Sequence, residues 1–258
     1  TSPVTYGTAT NFSCSNSQGL TTTLYIDGIN KSSEKGLNVT RAAGTYIVNC
    51  TASDNQNYTG SSEQTSYTIN KVTQTATLNI NETSPITYGI NVNVTCNGDL
   101  YKNNINVSST DKSKTVLLGA GNYNYSCKLY ESQNYTYDDD NSTFVVDKAI
   151  PSAILTNSQS WTIIYGTSAT IGLSETNSGD ADISYVVYRD NVNKGTGESA
   201  TLGVGSYNYL LNTTGGQNYS AVSNLDSDSL IVNKADPSSD MQIVLTPSAT
   251  VNYGTQTS

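Results

Sequence analysis

The feature that most constrains the fold is a short alternating stretch that occurs three times. Gly121-Asn122-Tyr123-Asn124-Tyr125-Ser126-Cys127 is matched by Gly44-Thr45-Tyr46-Ile47-Val48-Asn49-Cys50 and by Gly205-Ser206-Tyr207-Asn208-Tyr209-Leu210-Leu211. Read with a period of two, Tyr123, Tyr125, Cys127 and Leu129 form a buried row, and Asn122, Asn124, Ser126 and Lys128 a solvent row. That is the signature of a half-buried β-strand.

Other landmarks keep the same phase. Tyr-Gly pairs stand at Tyr6, Tyr88, Tyr165 and Tyr253, so the steps are 82, 77 and 88 residues. Gln-Asn-Tyr triplets end at Tyr58, Tyr135 and Tyr219, and lysines recur at Lys71, Lys148 and Lys234. An interval of about 80 residues with its own glycine, turn and strand signals describes a small all-β domain, because solenoid repeats run to ~20 to 50 residues. The boundaries are residues 1–71, 72–148 and 149–234, with 235–258 opening a fourth unit.

Within each repeat the pattern places a second strand ending at Cys14, Cys96 or Leu173. A third strand is expected at Leu24 to Asp27, Leu100 to Lys102 and Ile183 to Arg189, with Asp27-Gly28 and Asn97-Gly98 as turn signals. A fourth is expected at Leu37 to Ala42, Thr115 to Leu118 and Ala200 to Leu202, and a last one at Ser66 to Lys71, Thr143 to Lys148 and Ser229 to Lys234. Each last strand runs straight into the next repeat, and Pro151 and Pro237 stiffen two of the junctions.

The cysteines occupy identical offsets in two repeats. Cys14 and Cys96 lie eight residues after Tyr6 and Tyr88, while Cys50 and Cys127 lie four after Tyr46 and Tyr123. This predicts the disulfides Cys14–Cys50 and Cys96–Cys127, each joining an early strand to a late one. The third repeat holds Leu173 and Leu211 at the same offsets, as expected of a buried pair in contact. Loops of 36 and 31 residues closed in this way contribute about 3 to 4 kcal/mol in the chain-entropy model. Such help suits a small core, since Phe, Trp and Met together number four.

With seven strands in prospect, a second-to-sixth-strand disulfide and a Gly-x-Tyr-x-Tyr-x-Cys sixth strand, each repeat resembles an immunoglobulin-like β-sandwich. The Tyr-Gly-Thr opening and the Asn-Lys or Asp-Lys-Ala ending are similar to tandem Ig-like repeats of archaeal or bacterial cell-surface and S-layer-type proteins. Frequent sequons draw the likeness toward the archaeal kind. The resemblance implies tandem Ig-like β-sandwich domains joined end to end in an extracellular chain. One departure is that no Trp occupies the third strand, and the single Trp161 opens repeat three instead. An antibody-like binding end is therefore not expected.

Thirteen Asn-x-Ser/Thr sequons stand at Asn11, Asn30, Asn38, Asn49, Asn57, Asn81, Asn93, Asn106, Asn124, Asn134, Asn141, Asn212 and Asn218. Their placement says more than their number. Asn49, Asn124 and Asn212 have outward parity on the tyrosine strand, and Asn57, Asn134 and Asn218 head equivalent loops. The sequence reading favours N-linked glycans at most of them over a merely polar coat.

Little else suggests chemistry. The chain has no His, so Ser-His and Cys-His pairs are impossible, and no enzyme activity is expected. Asp138, Asp139, Asp140 and Asn141 in repeat two, with Asp226 and Asp228 in repeat three and Glu63 in repeat one, read as acidic loops. Calcium at Asp138, Asp139 and Asp140 is weighed against simple solvation, which is preferred. Lys71, Lys148 and Lys234 read as caps on domain junctions rather than isopeptide donors. The net charge of -9 argues against nucleic acid or an anionic membrane as partner, and no stretch reaches the ~18 apolar residues of a spanning helix.

The leading functional expectation is a structural component of an extracellular filament, stalk or surface layer, with an adhesin or receptor stalk as the alternative. Residues 1–8 match 83–90, so the first repeat is expected to lack its first strand. Residues 236–253 are then either the first strand of a fourth repeat in a longer chain or a donor strand to another copy.

Overall fold

A computed structural model describes residues 2–177, 181–239 and 241–243. Repeat one contains β1 (Val4–Thr5), β2 (Thr22–Ile26), β3 (Ile29–Asn30), β4 (Gly44–Ala52) and β5 (Ser61–Asn70). Repeat two contains β6 (Leu78–Ile80), β7 (Ile86–Thr87), β8 (Asn91–Cys96), β9 (Asp99–Lys102), β10 (Ile105–Asn106), β11 (Thr115–Leu117), β12 (Gly121–Leu129) and β13 (Asp138–Asp147). Repeat three contains β14 (Ala153–Asn157), β15 (Thr162–Ile164), β16 (Ser168–Glu175), β17 (Ser184–Arg189), β18 (Val192–Asn193), β19 (Glu198–Thr201), β20 (Gly205–Gly215) and β21 (Val222–Asn233). The architecture is all-β, in tandem Ig-like sandwiches.

Each repeat has a five-stranded sheet of one topology: β1-β5-β4-β2-β3, then β7-β13-β12-β9-β10, then β15-β21-β20-β17-β18. The tyrosine strand lies at the centre, as its alternation requires. Tyr125 and Cys127, like Tyr209 and Leu211, are at most 1% exposed. Repeats two and three close with a three-stranded sheet, β6-β8-β11 and β14-β16-β19. Repeat one places residues 9–16 and 37–40 there, joined among the described residues by the single bridge Thr10↔Val39. The ladder strands expected at both places are therefore absent from the described part of repeat one.

Main-chain contacts divide the chain into two compact units, one of Thr1–Ile86 with Ile90–Val146 and one of Thr87–Gly89 with Asp147–Ser258. The first unit thus holds two of the three strand sets.

The same hairpin recurs in all three repeats. Asp27-Gly28, Asn103-Asn104 and Asp190-Asn191 each have two successive positive φ values, the two-residue turn that matches the strand twist. In each, the first side chain accepts from the tyrosine strand: Asp27 from the Ile47 N–H, Asn103 from Asn124 and Asp190 from Asn208. Asn97-Gly98 is not a hairpin turn. Gly98 is required there because a Cβ would lie 2.3 Å from the Lys128 carbonyl oxygen. The last strands also begin earlier than expected, at Ser61, Asp138 and Val222, so the acidic stretches lie on strands and not in loops.

Candidate functional site

Both expected disulfides are present, Cys14–Cys50 and Cys96–Cys127, with Cα atoms 5.6 and 5.5 Å apart. Leu211 is fully enclosed at the corresponding place in repeat three, where Leu173 packs against the same core. No free cysteine remains.

The landmarks that revealed the period meet at the joints. In the first unit, the Val72 N–H donates to the Asn134 carbonyl (2.9 Å) and the Thr136 N–H donates back to the Val72 carbonyl (3.0 Å). The Asn134 side-chain oxygen accepts from the Ala43 N–H at 2.9 Å, and Tyr6 meets Tyr135 edge to face at 5.8 Å. The second unit repeats the motif. There the Ala149 N–H donates to the Asn218 carbonyl, the Ser220 N–H donates to the Ala149 carbonyl, and Tyr88 meets Tyr219 at 5.5 Å. In this latch the Gln-Asn-Tyr triplet of one repeat grips the residue after the terminal lysine and the Tyr-Gly tyrosine of the preceding repeat.

The lysines attend these joints. Lys71 pairs with Glu131 at 2.6 Å, which holds the Glu131 carboxyl below its usual range, and Lys148 donates to the Gly216 carbonyl at 2.6 Å. These are the capping roles expected of them.

The sequons fall into three groups. Asn11, Asn30, Asn38, Asn57, Asn81, Asn106, Asn124 and Asn141 are exposed. Asn49, Asn93, Asn134 and Asn212 are half-buried. Asn218 is enclosed at 8% exposure. Asn134 and Asn218, read from sequence as loop-head glycan acceptors, also make hydrogen bonds at the joints. The repetition of Gln-Asn-Tyr in phase with Tyr-Gly was the available signal, but spacing alone does not show which repeat a side chain will touch.

The acidic loop expected at Asp138, Asp139 and Asp140 is also different in structure. Asp138 and Asp140 lie on β13 and accept the Ala76 and Leu78 N–H groups at 2.7 and 2.8 Å, while Asp139 is exposed and hydrogen-bonds Asn141. Asp226 accepts the Leu155 N–H at 2.7 Å in the same way. These carboxylates clamp the first strand of their repeat to its last. Among the described residues no three His, Cys, Asp or Glu side chains converge as a metal site. Open hollows on the outer face of the larger sheet are lined by polar groups, as with Asn104, Asn124 and Asn141 in repeat two or Asp190, Asn208 and Asp228 in repeat three. Burial, with Asp226 beside it, raises the Asp228 carboxyl above its usual range.

Of the stretch 236–253, Pro237–Ser239 is a 3₁₀ turn and Met241 to Ile243 are irregular and exposed; 240 and 244–253 lie outside the described residues.

No protein-family model matches the chain, and no curated protein matches it. Among solved structures it is similar to the fibronectin(III)-like modules of Clostridium thermocellum CbhA, at 13% identity over 61% of this chain and 95% of that one, with a TM-score of 0.24. It is also similar to domains 4-9 of the surface layer protein SbsC, at 9% identity over 88% of this chain and 42% of that one, with a TM-score of 0.21. At such TM-scores the likenesses carry no argument, and the fold rests on strand order and register.

Proposed function

We propose that this chain is a structural segment of an extracellular surface protein, a glycosylated filament, stalk or layer whose Ig-like domains serve as building blocks. The observation that carries the reading is the latch, built twice from equivalent residues with two backbone hydrogen bonds and a tyrosine pair each time. A chain that builds the same joint twice is organised for mechanical continuity. Two structural disulfides support an oxidising compartment. The eight exposed sequons are the proposed glycan acceptors. Immunogold imaging of cells that make the protein, with glycopeptide mapping of the labelled material, tests this. Expected are label on ordered surface structures and glycans on the exposed Asn set with Asn218 bare; label confined to the cell interior would refute the surface role.

A further inference from the structure

A cluster of tyrosines sets repeat two apart from its neighbours. On the outer face of the larger sheet, Tyr101, Ser126 and Asn141 stand opposite one another across β9, β12 and β13, and Asp99, Lys128 and Asp139 form the next row. Tyr130 and Tyr137 follow on the same face, just beyond the paired rung Leu129↔Asp138. The Tyr101 and Tyr130 hydroxyls are 2.6 Å apart, the Tyr130 and Tyr137 ring centroids 6.4 Å apart, and the Lys128 ammonium lies 4.8 Å from the Tyr101 centroid. Tyr130 and Tyr137 are nevertheless 53% and 46% exposed. The hydrogen bond with Tyr101, then partial desolvation, raises the Tyr130 hydroxyl to about 12, so it stays neutral.

The other repeats hold nothing similar at these places. The rung Cys127↔Asp140 corresponds to Cys50↔Glu63 in repeat one and to Leu211↔Asp226 in repeat three. Counted from it, Tyr130, Tyr137 and Asn141 become Ser53, Gly60 and Gln64 in repeat one, and Tyr130 and Asn141 become Thr214 and Ser227 in repeat three. Exposed tyrosines and the sequon Asn141-Ser142-Thr143 therefore occur together, on one face of one repeat.

Two hydrogen bonds fix which way Asn141 points. Ser126 Oγ donates to its Oδ1, and its Nδ2 donates to Asp139. The nitrogen that accepts a glycan thus faces along β13 toward Asp139 and the tyrosines, away from the hollow lined by Asn104 and Thr143 on its other side. Tyr137 lies four residues from Asn141, about 13 Å along a strand and within reach of a short oligosaccharide. A pyranose ring presents a weakly positive face of C–H bonds and a rim of hydroxyls. The face suits the electron-rich rings of exposed tyrosines, and the rim suits the exposed Asp99 and Asp139 carboxylates beside them.

We infer that Tyr101, Tyr130 and Tyr137 form a carbohydrate platform whose occupant is the glycan carried by Asn141 of the same chain. Attachment replaces one Nδ2 hydrogen by the anomeric carbon of the first sugar: the phosphate-linked sugar carrier leaves with the bonding electron pair, and the proton passes to a base of the transferring enzyme. The second Nδ2 hydrogen remains to donate to Asp139. The glycan then lies along β13 over the tyrosines and covers an apolar patch that the sheet leaves open. This occupancy rests on the glycosylation proposed above and does not require a surface location.

The test is hydroxyl-radical footprinting of the glycoprotein, read peptide by peptide, after glycopeptide mapping of the thirteen sequons. Expected are a glycan at Asn141 and oxidation of Tyr130 and Tyr137 about fivefold slower than in Thr143→Ala, which abolishes that sequon but keeps the Asn141 side chain. Asn106, a sequon residue opposite Tyr101 on β10, is the rival source, and Asn106→Gln should leave both tyrosines protected. Conversely, Tyr130→Ser/Tyr137→Ser, altered only at exposed positions, should let an exoglycosidase trim the Asn141 glycan about fivefold faster and the Asn106 glycan at an unchanged rate. Equal oxidation with and without the Asn141 glycan, protection lost in Asn106→Gln, or unchanged trimming at Asn141 overturns the platform while glycosylation stands. Asn141 bare among occupied sequons overturns it and leaves the surface reading intact; glycans absent from every sequon overturn it together with the proposed glycosylation.

Discussion

Repeat one and repeat three share a strand order but differ in how completely that order is filled. The core of repeat three joins eleven buried residues, from Ala153 on β14 to Val232 on β21. In repeat one the corresponding cluster is Cys14, Leu24 and Val48, with Phe12, Tyr46, Cys50 and Tyr67 half-covered around it. Among the described residues the difference is mainly one strand. Where β14 brings Ala153 and Leu155 onto the core, repeat one has the edge of residues 11–15, and Cys50 remains half-buried where Leu211 is enclosed. A sandwich therefore owes much of its burial to its first strand, and the two disulfides stand in the repeats where apolar contacts are fewest or the second sheet shortest.

The largest test of this contrast is to remove the bridges. Cys14→Ala/Cys50→Ala should abolish amide protection throughout repeat one, because loop closure is worth about 3 to 4 kcal/mol and the remaining core is small. Cys96→Ala/Cys127→Ala should lower the stability of repeat two by a similar amount but leave it folded. Hydrogen exchange read repeat by repeat separates the two, and a repeat one that keeps its protection breaks the comparison.

Next in size is Leu211→Ala, which opens a cavity in a filled core and should cost repeat three about 2 to 5 kcal/mol in urea unfolding. Loss under 1 kcal/mol would mean that the core is loosely packed and resembles repeat one after all.

A smaller effect separates two equivalent tyrosines. The Tyr209 hydroxyl donates to Glu198 at 2.8 Å, whereas the buried Tyr125 hydroxyl has no hydrogen-bond partner among the described residues. Tyr209→Phe should cost about 1 kcal/mol, and Tyr125→Phe should be neutral or slightly stabilising, since it deletes a desolvated group. Paired thermal unfolding of the two variants checks the order.

The smallest effect is a pH dependence. Burial, then Asp226, raises the Asp228 carboxyl in the folded state, so folding is opposed above the range where it ionises and unopposed below it. Asp228→Asn should raise the melting temperature of repeat three near pH 7 and leave it unchanged near pH 3. An equal gain at both pH values would exclude the charge as the cause.

Much of this was legible from residues, and the reason is periodicity. The Tyr123–Cys127 alternation gave the central strand, and the equal offsets of Cys14 and Cys96 gave both disulfides. What remained hidden depends on contacts between segments far apart in the chain. Asp138 and Asp140 looked like a solvated or cation-binding loop because their partners, the Ala76 and Leu78 N–H groups, come from backbone that composition cannot reveal. Asn134 satisfied a sequon while its side chain met the Ala43 N–H of the neighbouring repeat. Gly98 carried a turn signal, yet its smallness answers to the Lys128 carbonyl thirty residues away.

In repeats one and three the short strand just before the Tyr-Gly pair runs parallel to the last one: Val4 and Thr5 align with Ile69 and Asn70, and Thr162 to Ile164 with Ile231 to Asn233. When the two ends of such a repeat are pulled apart, the bonds between these strands are strained together along their length instead of parting one after another. Rupture then demands that the whole row fail at once, so a domain with a modest equilibrium stability can still resist sudden tugging.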